Sequence, residues 1–390
     1  MIEGYDIICF SNDWDGDPLS KKHIMTRLAR RNRILWVNSI GNRNPTLSKG
    51  DATRVFRKLK AFLTGPLKVS DGIHVISPIA IPFHGNAVAR RINQWLLIAT
   101  LRSATRKLGF RKRVTWTFLP TSANVAGYLG EKMVIYHCTD EFSEFSGTSK
   151  TAILHMEERL IAKADCVFVS AERLLRSKAQ GNQNTFLIRH GVDVEHFRKA
   201  CDGSTPIPED VLRIPSPIIG FFGLIADWVD LKLVADIARA RPQWSFVLVG
   251  KVATDLSPIA ELPNIHVLGQ RRYEELPGYC RAFDAAILPF VINELTLNAN
   301  PLKLREYLAA GLSVVSTPIP EVRELASLVR IGKTCSDFIG HLECILSREK
   351  SGTRLAVSQE MNRESWDARV EEMSRVIDIL VPSVAGLGEA

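Results

Sequence analysis

The chain has 390 residues, 46% hydrophobic and 24% charged, an ordinary globular composition long enough for two or more domains. Its seven cysteines are scattered, odd in number and without a C-x-x-C pair, which argues against a disulfide framework or a zinc site and fits a reducing cytoplasm. The opening "MIEGYD" lacks the basic and apolar regions of a signal peptide, and no apolar run approaches the ~20 residues that span a bilayer, so a soluble or membrane-surface protein is expected.

In chain order, "YDIICF" predicts a strand, the loop "SNDWDGDPLS" follows, and "KKHIMTRLARR" predicts a helix. "RILWVN", "GIHVISP", "VTWTFL", "MVIYHC", "CVFVSA" and "TFLIRHGVD" predict further strands, with helices around 87–108 and 149–163. The apolar runs are short and continuous, as in strands covered on both faces. The Pro-, Ser- and Asp-rich stretch 201–217 reads as a linker. A second series then follows, with strands "IIGFFG", "SFVLVG", "NIHVLG", "AAILPF", "SVVST" and "VRIG" and helices at 229–240, 272–283, 301–310, 320–327 and 336–348. "RESWDARVEEMSRVIDIL" predicts an amphipathic helix outside that series.

Such alternation implies α/β architecture with two Rossmann-like, doubly wound domains facing a cleft. The expected boundaries are 1–200, a linker at 201–217, a second domain at 218–354, and a helix at 355–381 that crosses back to the first domain. Ligands in such sheets bind beyond the carboxyl ends of the strands. Candidate site residues are therefore those just after strands.

The segment "NANPLKLREYLAAGLSVVST", 298–317, is the most informative. Asn300 suits an N-cap, Pro301 the first helical position and Gly311 the helix end. Lys303 and Glu306 share a helical face at a helix start, where free N–H groups attract anions. The lysine would strengthen a phosphate site, and the glutamate could accept hydrogen bonds from sugar hydroxyls. On the helix alone, a surface ion pair is the better explanation.

Elsewhere, Gly220 and Gly223 would let the backbone approach a phosphate or sugar. Lys251 could reach a nucleotide, and Tyr273 could pack near its base or simply begin a helix. Asn12, Asp13, Trp14 and Asp15 form a polar-aromatic loop suited to a sugar, and we read the Asp-x-Asp pair as acceptor chemistry rather than a metal motif. His137 and His190, at strand ends, could bond a sugar or phosphate, or be structural. Asp193 fits stabilisation of the turn after Gly191.

The second half resembles the nucleotide-sugar-binding domain of GT-B-fold glycosyltransferases. "NPLKLREYLAAGLSVVST", "IIGFFGLIADWVDLKL", "FVLVG", "VLGQRRYEELPGYCRAFDAAILPF" and "RHGVDVEHF" carry the resemblance, which extends over nearly the whole chain. It is similar to family 4-like enzymes of bacterial surface-polysaccharide and teichuronic-acid assembly. The resemblance implies a hexosyl transfer from a nucleoside-diphosphate sugar, with Lys303 at the diphosphate and Glu306 at the ribose. The sequence departs from the family where Asn298 stands in place of a common glutamate, and where Asp227 and Trp228 replace a common Arg and Lys. No obligatory metal or other cofactor is implied.

"YHCTDEF" resembles the segment that carries the base carboxylate in xanthan-type glucuronosyltransferases. An inverting transfer needs such a carboxylate at the acceptor hydroxyl. Asp140 is the expected base, with Glu141 and His137 as alternates and a helix-capping Asp as the structural alternative. Other readings of the chain are a nucleotide-sugar epimerase, a non-catalytic membrane-surface scaffold and, weakest, a nicotinamide dehydrogenase, since no G-x-G-x-x-G stands in place.

Charge is uneven. Residues 43–113 hold 15 Lys and Arg against Asp51 and Asp71, a net of +13, so the remainder of the +8 chain sums to −5. "TRVFRKLKAFL" (53–63, with Arg57, Lys58 and Lys60) and "ARRINQWLLIATLRSATRK" (89–107) interleave cations with apolar residues. This pattern suits an anionic membrane surface, while Trp95–Ile98 could instead face the core. No nucleic-acid module accompanies it. The expected acceptor is a glycan, polyprenyl-diphosphate-linked, and the expected location the cytoplasmic face of the plasma membrane.

Overall fold

The computed structural model describes residues 1–39, 65–78, 87–347 and 353–386; the basic segment 53–63 lies outside them. The chain forms two compact units, Met1–Ile188 with Val370–Ala390, and Arg189–Arg369.

The first unit is built on an eight-stranded sheet. Its strands are β1 (Asp6–Phe10), β2 (Arg33–Val37), β3 (Leu67–Ser70), β4 (Ile73–Ile76), β5 (Arg113–Thr117), β6 (Met133–Cys138), β7 (Cys166–Val169) and β8 (Thr185–Leu187). They lie in the order β3-β4-β2-β1-β5-β6-β7-β8. All neighbours are parallel except β3, which runs antiparallel to β4. The sequence pattern does not announce β3, because all four of its residues are exposed at the sheet edge. β1 and β6 are buried throughout, which is why their apolar runs are continuous.

Helices α1 (Ser20–Leu28), α2 (Ala87–Lys107), α3 (Lys150–Lys163) and α4 (Glu172–Lys178) accompany this sheet. Leu97, Leu101 and Ala104 of α2 join Ile8, Phe10, Leu35 and Val37 in one core, and Leu160 and Ile161 of α3 join Val134, Tyr136 and Val167 in another. The strand order reverses between β1 and β5, so the loops after β1, β5 and β6 meet at the switch point where such sheets bind ligands.

The second unit has a six-stranded, all-parallel sheet of β9 (Ile218–Phe222), β10 (Ser245–Val249), β11 (Ile265–Gly269), β12 (Ala285–Leu288), β13 (Val314–Ser316) and β14 (Val329–Ile331). Its order, β11-β10-β9-β12-β13-β14, is the Rossmann winding, with the reversal between β9 and β12. Its main helices are α5 (Val194–Arg198), α6 (Leu231–Ala240), α7 (Leu276–Ala282), α8 (Leu302–Ala309), α9 (Cys335–Leu346) and α10 (Thr353–Glu360). The helix expected at 320–327 is a 3-10 segment, Pro320–Leu325.

The boundaries differ from the sequence reading at both ends of the second unit, which runs on to Arg369 and so takes in the first part of the expected 355–381 helix. The stretch 201–217 is not a free linker but part of the second unit. Ile207 and Ile214 pack on its core, and the Asp210 carboxylate is held by the Tyr279 hydroxyl at 2.8 Å and by Arg271 at 2.8 Å. Its polar composition hid these anchors. The second unit also begins earlier, at Arg189. There the Val192 N–H donates to the Glu364 carbonyl at 2.9 Å, and Gly191 lies so close to Trp366 that a Cβ would sit 2.8 Å from its backbone. The final helix, α11 (Trp366–Gly386), groups with the first unit from Val370 onward; Val370, Met373 and Ile377 are its buried hydrophobic residues there, and the Met1 ammonium pairs with Glu371 at 2.9 Å.

Candidate active site

In the second unit, β9 ends on Phe222 and Gly223, at the switch point. A Cβ on Gly250, which follows β10, would lie 1.7 Å from the Gly223 carbonyl oxygen, so both turns pack backbone to backbone and only glycine fits at 250. The side chain of Lys303 lies over Gly223, with its Cε 3.4 Å from where a Cβ would be. Its ammonium pairs with Glu306 at 2.8 Å and sits 4.9 Å from the Phe222 ring. The Tyr307 hydroxyl accepts from the Phe222 N–H at 2.7 Å, which ties α8 to the end of β9.

Glu306 is buried, and burial pushes its carboxyl above the usual range; Lys303 pulls it back and Asp193 adds to the rise. No side chain caps the start of α8, whose cap position is Pro301. The first-turn N–H groups therefore carry no side-chain acceptor. An uncapped helix start, a lysine and a buried carboxylate thus lie around two glycines, and free N–H groups with a nearby ammonium are the chemistry that attracts anions.

Asn300 does not cap this helix, as the sequence suggested. It is drawn into a buried polar network in which its Oδ1 accepts from Arg305, its Nδ2 donates to Glu321 at 3.2 Å, and Arg305 reaches Glu364 at 3.3 Å. Gly220 is not a ligand-approach glycine either. A Cβ there would lie 2.0 Å from the Phe283 ring, so the residue serves the packing of α7 on β9.

Asn298 is buried and donates to the Glu294 carbonyl at 2.7 Å. Asp227 and Lys251 are exposed, on loops joined by the Ile225–Val252 bridge. Tyr273 does not simply begin a helix: its ring stacks on His196 at 4.2 Å and 10°. His190 packs beside Trp366, and Asp193 caps α5 by accepting from the His196 N–H at 3.3 Å.

In the first unit, Asp140 follows β6 and accepts from the Thr139 hydroxyl at 2.9 Å. Burial pushes its carboxyl up, while Lys21 and the Thr139 bond oppose the rise. Asp140 is therefore a carboxyl whose proton affinity its surroundings raise. Glu141 is already committed: Lys178 pairs with it at 2.8 Å and with buried Glu157 at 2.8 Å. His137 is buried among aromatic rings, 5.0 Å from Phe118 and 5.7 Å from Phe168. Burial first, then the charge of Lys21, pushes its imidazole down to about 3, so it is neutral and a poor proton acceptor. Asp13 accepts from the Ser39 hydroxyl at 2.8 Å, and the Trp14 ring meets Trp36 edge-on at 5.0 Å. Among the described residues, no group of three or more His, Cys, Asp or Glu is placed to hold a metal ion.

Sequence reasoning missed Lys21. It lies on α1 next to two further cationic and imidazole residues in "KKHIMTRL" and looks like an ordinary surface lysine, yet it is buried. Only the position of the α1 start, at the switch point, could have signalled it.

Comparison with known proteins matches residues 216–340 to the family model described as Glycosyl transferases group 1. TuaH of Bacillus subtilis (strain 168), described as a candidate teichuronic acid biosynthesis glycosyltransferase, is 25% identical over 285 residues, 68% of this chain and 71% of that relative. Among solved structures, Anabaena Alr3699/HepE in complex with UDP and glucose superposes with a TM-score of 0.68 at 14% identity, over 96% of this chain and 100% of that one. Sucrose-phosphate synthase from Thermosynechococcus elongatus gives 0.70 at 15%, over 97% and 100%. At these identities the two structures speak to fold, and the fold is GT-B.

Proposed function

We propose that this chain, a glycosyltransferase with the GT-B fold, moves a hexosyl group from a nucleoside diphosphate to a hydroxyl of a lipid-linked glycan in bacterial polysaccharide assembly. The observation that carries the donor half is the Lys303–Glu306 pair at the uncapped start of α8, against Gly223. The diphosphate takes the helix N-terminus and the Lys303 ammonium, and Glu306 accepts from the ribose hydroxyls. These groups meet the diphosphate charge without an obligatory metal ion. HepE has been crystallised with UDP and with UDP-glucose, which makes uridine-diphosphate sugars the first donors to try.

Asp140 serves the acceptor half. It takes the proton from the acceptor hydroxyl as the oxygen bonds the anomeric carbon, and the bond from that carbon to the nucleoside diphosphate breaks. The test is incubation with UDP-glucose, UDP-galactose, UDP-N-acetylglucosamine and UDP-glucuronate. Binding with slow release of UDP supports transfer, epimer formation redirects the reading to an epimerase, and absence of binding to all four overturns it.

A peripheral place on an anionic membrane completes the proposal. α2 exposes Ile92, Trp95 and Leu96, with Trp95 68% accessible, while Leu97 enters the core. Arg91, Arg102, Arg106 and Lys107 are exposed on the same helix. No helix among the described residues is long and apolar enough to cross a membrane. An apolar stripe flanked by cations fits the headgroup region, within reach of a lipid-linked acceptor.

A further inference from the structure

Lys21 is 6% accessible, and its ammonium has three donors to satisfy. Its recorded hydrogen bond is a long one, to the Asn12 Oδ1 at 3.4 Å. Otherwise it faces the rings of Phe118 at 5.9 Å and Phe142 at 5.7 Å. The other buried lysine among the described residues of this unit, Lys178, touches two carboxylates at 2.8 Å. Burying an ammonium without a direct counter-ion is costly, so a fold that does so has a use for the charge.

The surroundings point to that use. Lys21 lies on the first turn of α1, the helix that follows β1, Phe118 follows β5, and Asp140 follows β6; β1, β5 and β6 are adjacent strands. Burial pulls the Lys21 ammonium down, and the charge that most opposes this is Asp140. The remaining neighbours are neutral or spoken for. Burial pushes the thiols of Cys9 and Cys138 far up, and His137 is neutral. Glu141 and Glu157 belong to Lys178, and Lys22 reaches the Trp14 carbonyl at 3.1 Å. Two more buried polar atoms at these strand ends, Ser11 Oγ and His137 Nδ1, lack a hydrogen-bond partner. Donors and acceptors are thus gathered around a carboxylate and an ammonium that make no ion-pair contact among the described residues.

We infer that Lys21 is a part of the acceptor site, its ammonium facing the Asp140 carboxylate as charge partner and donating to the hydroxyl that this carboxylate deprotonates. The inference rests on the transferase reading above. A hydroxyl between the two groups accepts one hydrogen bond from Lys21 and donates its own proton to Asp140, so the ammonium fixes which lone pair attacks. The same charge opposes the rise that burial imposes on the Asp140 carboxyl, and the Phe118 and Phe142 rings supply apolar walls for a sugar face.

The experiment measures UDP release from the same four UDP-sugars, with water as acceptor, across pH. Lys21→Met should lower the rate at least about tenfold, a fraction of what a positioned proton acceptor contributes. Its acid limb should move to higher pH, since losing the cation lets burial raise Asp140 further, and Lys21→Arg should restore part of both. In an Asp140→Asn background, Lys21→Met should have no further effect, and UDP affinity should be unchanged throughout. An unmoved pH profile, or effects that add in the double variant, would overturn the inference while leaving the transferase reading intact. Because Lys21→Met could fold poorly, the near-isosteric Lys21→Gln is followed as well. The Asp140 carboxyl, read by carbon-13 NMR and assigned by its loss in Asp140→Asn, should titrate at higher pH in Lys21→Gln than in the natural protein. Identical titration in both sinks the proposal even if no donor is turned over.

Discussion

Each of the two sheets sets a lysine and a carboxylate at the carboxyl end of its strands, and the two pairs are built differently. Lys303 and Glu306 lie three residues apart on one helix and touch at 2.8 Å. Lys21 and Asp140 are brought together from α1 and the end of β6, feel each other's charge, and do not touch. A preformed pair is a reserve that an anionic ligand can open by competing for the lysine. A separated pair leaves room for a hydroxyl between its members. The first arrangement suits holding a diphosphate, the second suits moving a proton.

The sharpest way to break this comparison is Asp140→Asn. Turnover should fall by about 10²–10⁴, the usual contribution of a positioned proton acceptor, with UDP affinity by calorimetry unchanged. A variant that transfers at the natural rate would leave the first unit's pair without a chemical role.

Next in size is Lys178→Met. It leaves the Glu141 and Glu157 carboxylates, at 12% and 2% side-chain exposure, without their counter-ion though still bonded by the Ser143 and Tyr136 hydroxyls, and breaking such a pair costs about 3–5 kcal/mol. Denaturant melts should show that loss, and turnover should fall with it as the loop carrying Asp140 loosens. Full stability would mean that Glu141 is less firmly held than its geometry indicates.

The donor pair gives a smaller, two-part effect. Lys303→Ala should weaken UDP binding by about 1–3 kcal/mol, the range for a lost charge-assisted hydrogen bond. It should also make stability more sensitive to pH. Burial already raises Glu306 above its unfolded value, and Lys303 opposes that rise. A raised carboxyl takes up protons on folding, so stability falls as pH climbs from the unfolded value toward the folded one. Without Lys303 that interval widens, and the variant should lose more thermal stability at pH 8 than at pH 5. Equal losses at both would mean that Glu306 is not the group that Lys303 neutralises.

The same contrast explains what could be read in advance. The strands of the second unit and its donor helix were legible because their signals are local: continuous apolar runs, Pro301 and Gly311 as punctuation, and a lysine and glutamate at helical spacing. Lys21 was not, since its environment is made by residues 12, 118, 140 and 142, far apart in the chain, and a lysine beside another lysine looks like solvent-facing charge. Glu141 shows the converse. Next to Asp140 in sequence it stood as the alternate base, and only folding reveals that Lys178, thirty-seven residues away, already holds it. Asn300 and Gly220 fitted local rules for capping and close approach, and lost to tertiary partners, Arg305 with Glu321 and the Phe283 ring.

The smallest expected effect concerns the face of the first unit that meets solvent. Its exposed aromatic residues, Trp95 and Tyr128, have no counterpart in the second unit, where the exposed large apolar residues among those described are aliphatic. On α2 the spacing of Ile92, Trp95 and Leu96 puts them on one side, with Arg91 at their start and Arg102, Arg106 and Lys107 further along. An indole at the headgroup level and cations worth about 1 kcal/mol each near an anionic surface make a weak, salt-sensitive contact. The protein should float with vesicles containing phosphatidylglycerol and leave them in high salt, because screening removes the cation term and keeps the indole term. Trp95→Ala should reduce binding several-fold at low salt, about 1 kcal/mol on the scale of burying part of one aromatic side chain. Indole fluorescence of the natural protein should shift to the blue on binding, and that shift should vanish in the variant, since Trp95 is the one tryptophan exposed among those described. Equal binding to phosphatidylcholine and phosphatidylglycerol, or a blue shift that survives the substitution, would make this face ordinary solvated helix and leave the donor and acceptor pairs as the functional features of the chain.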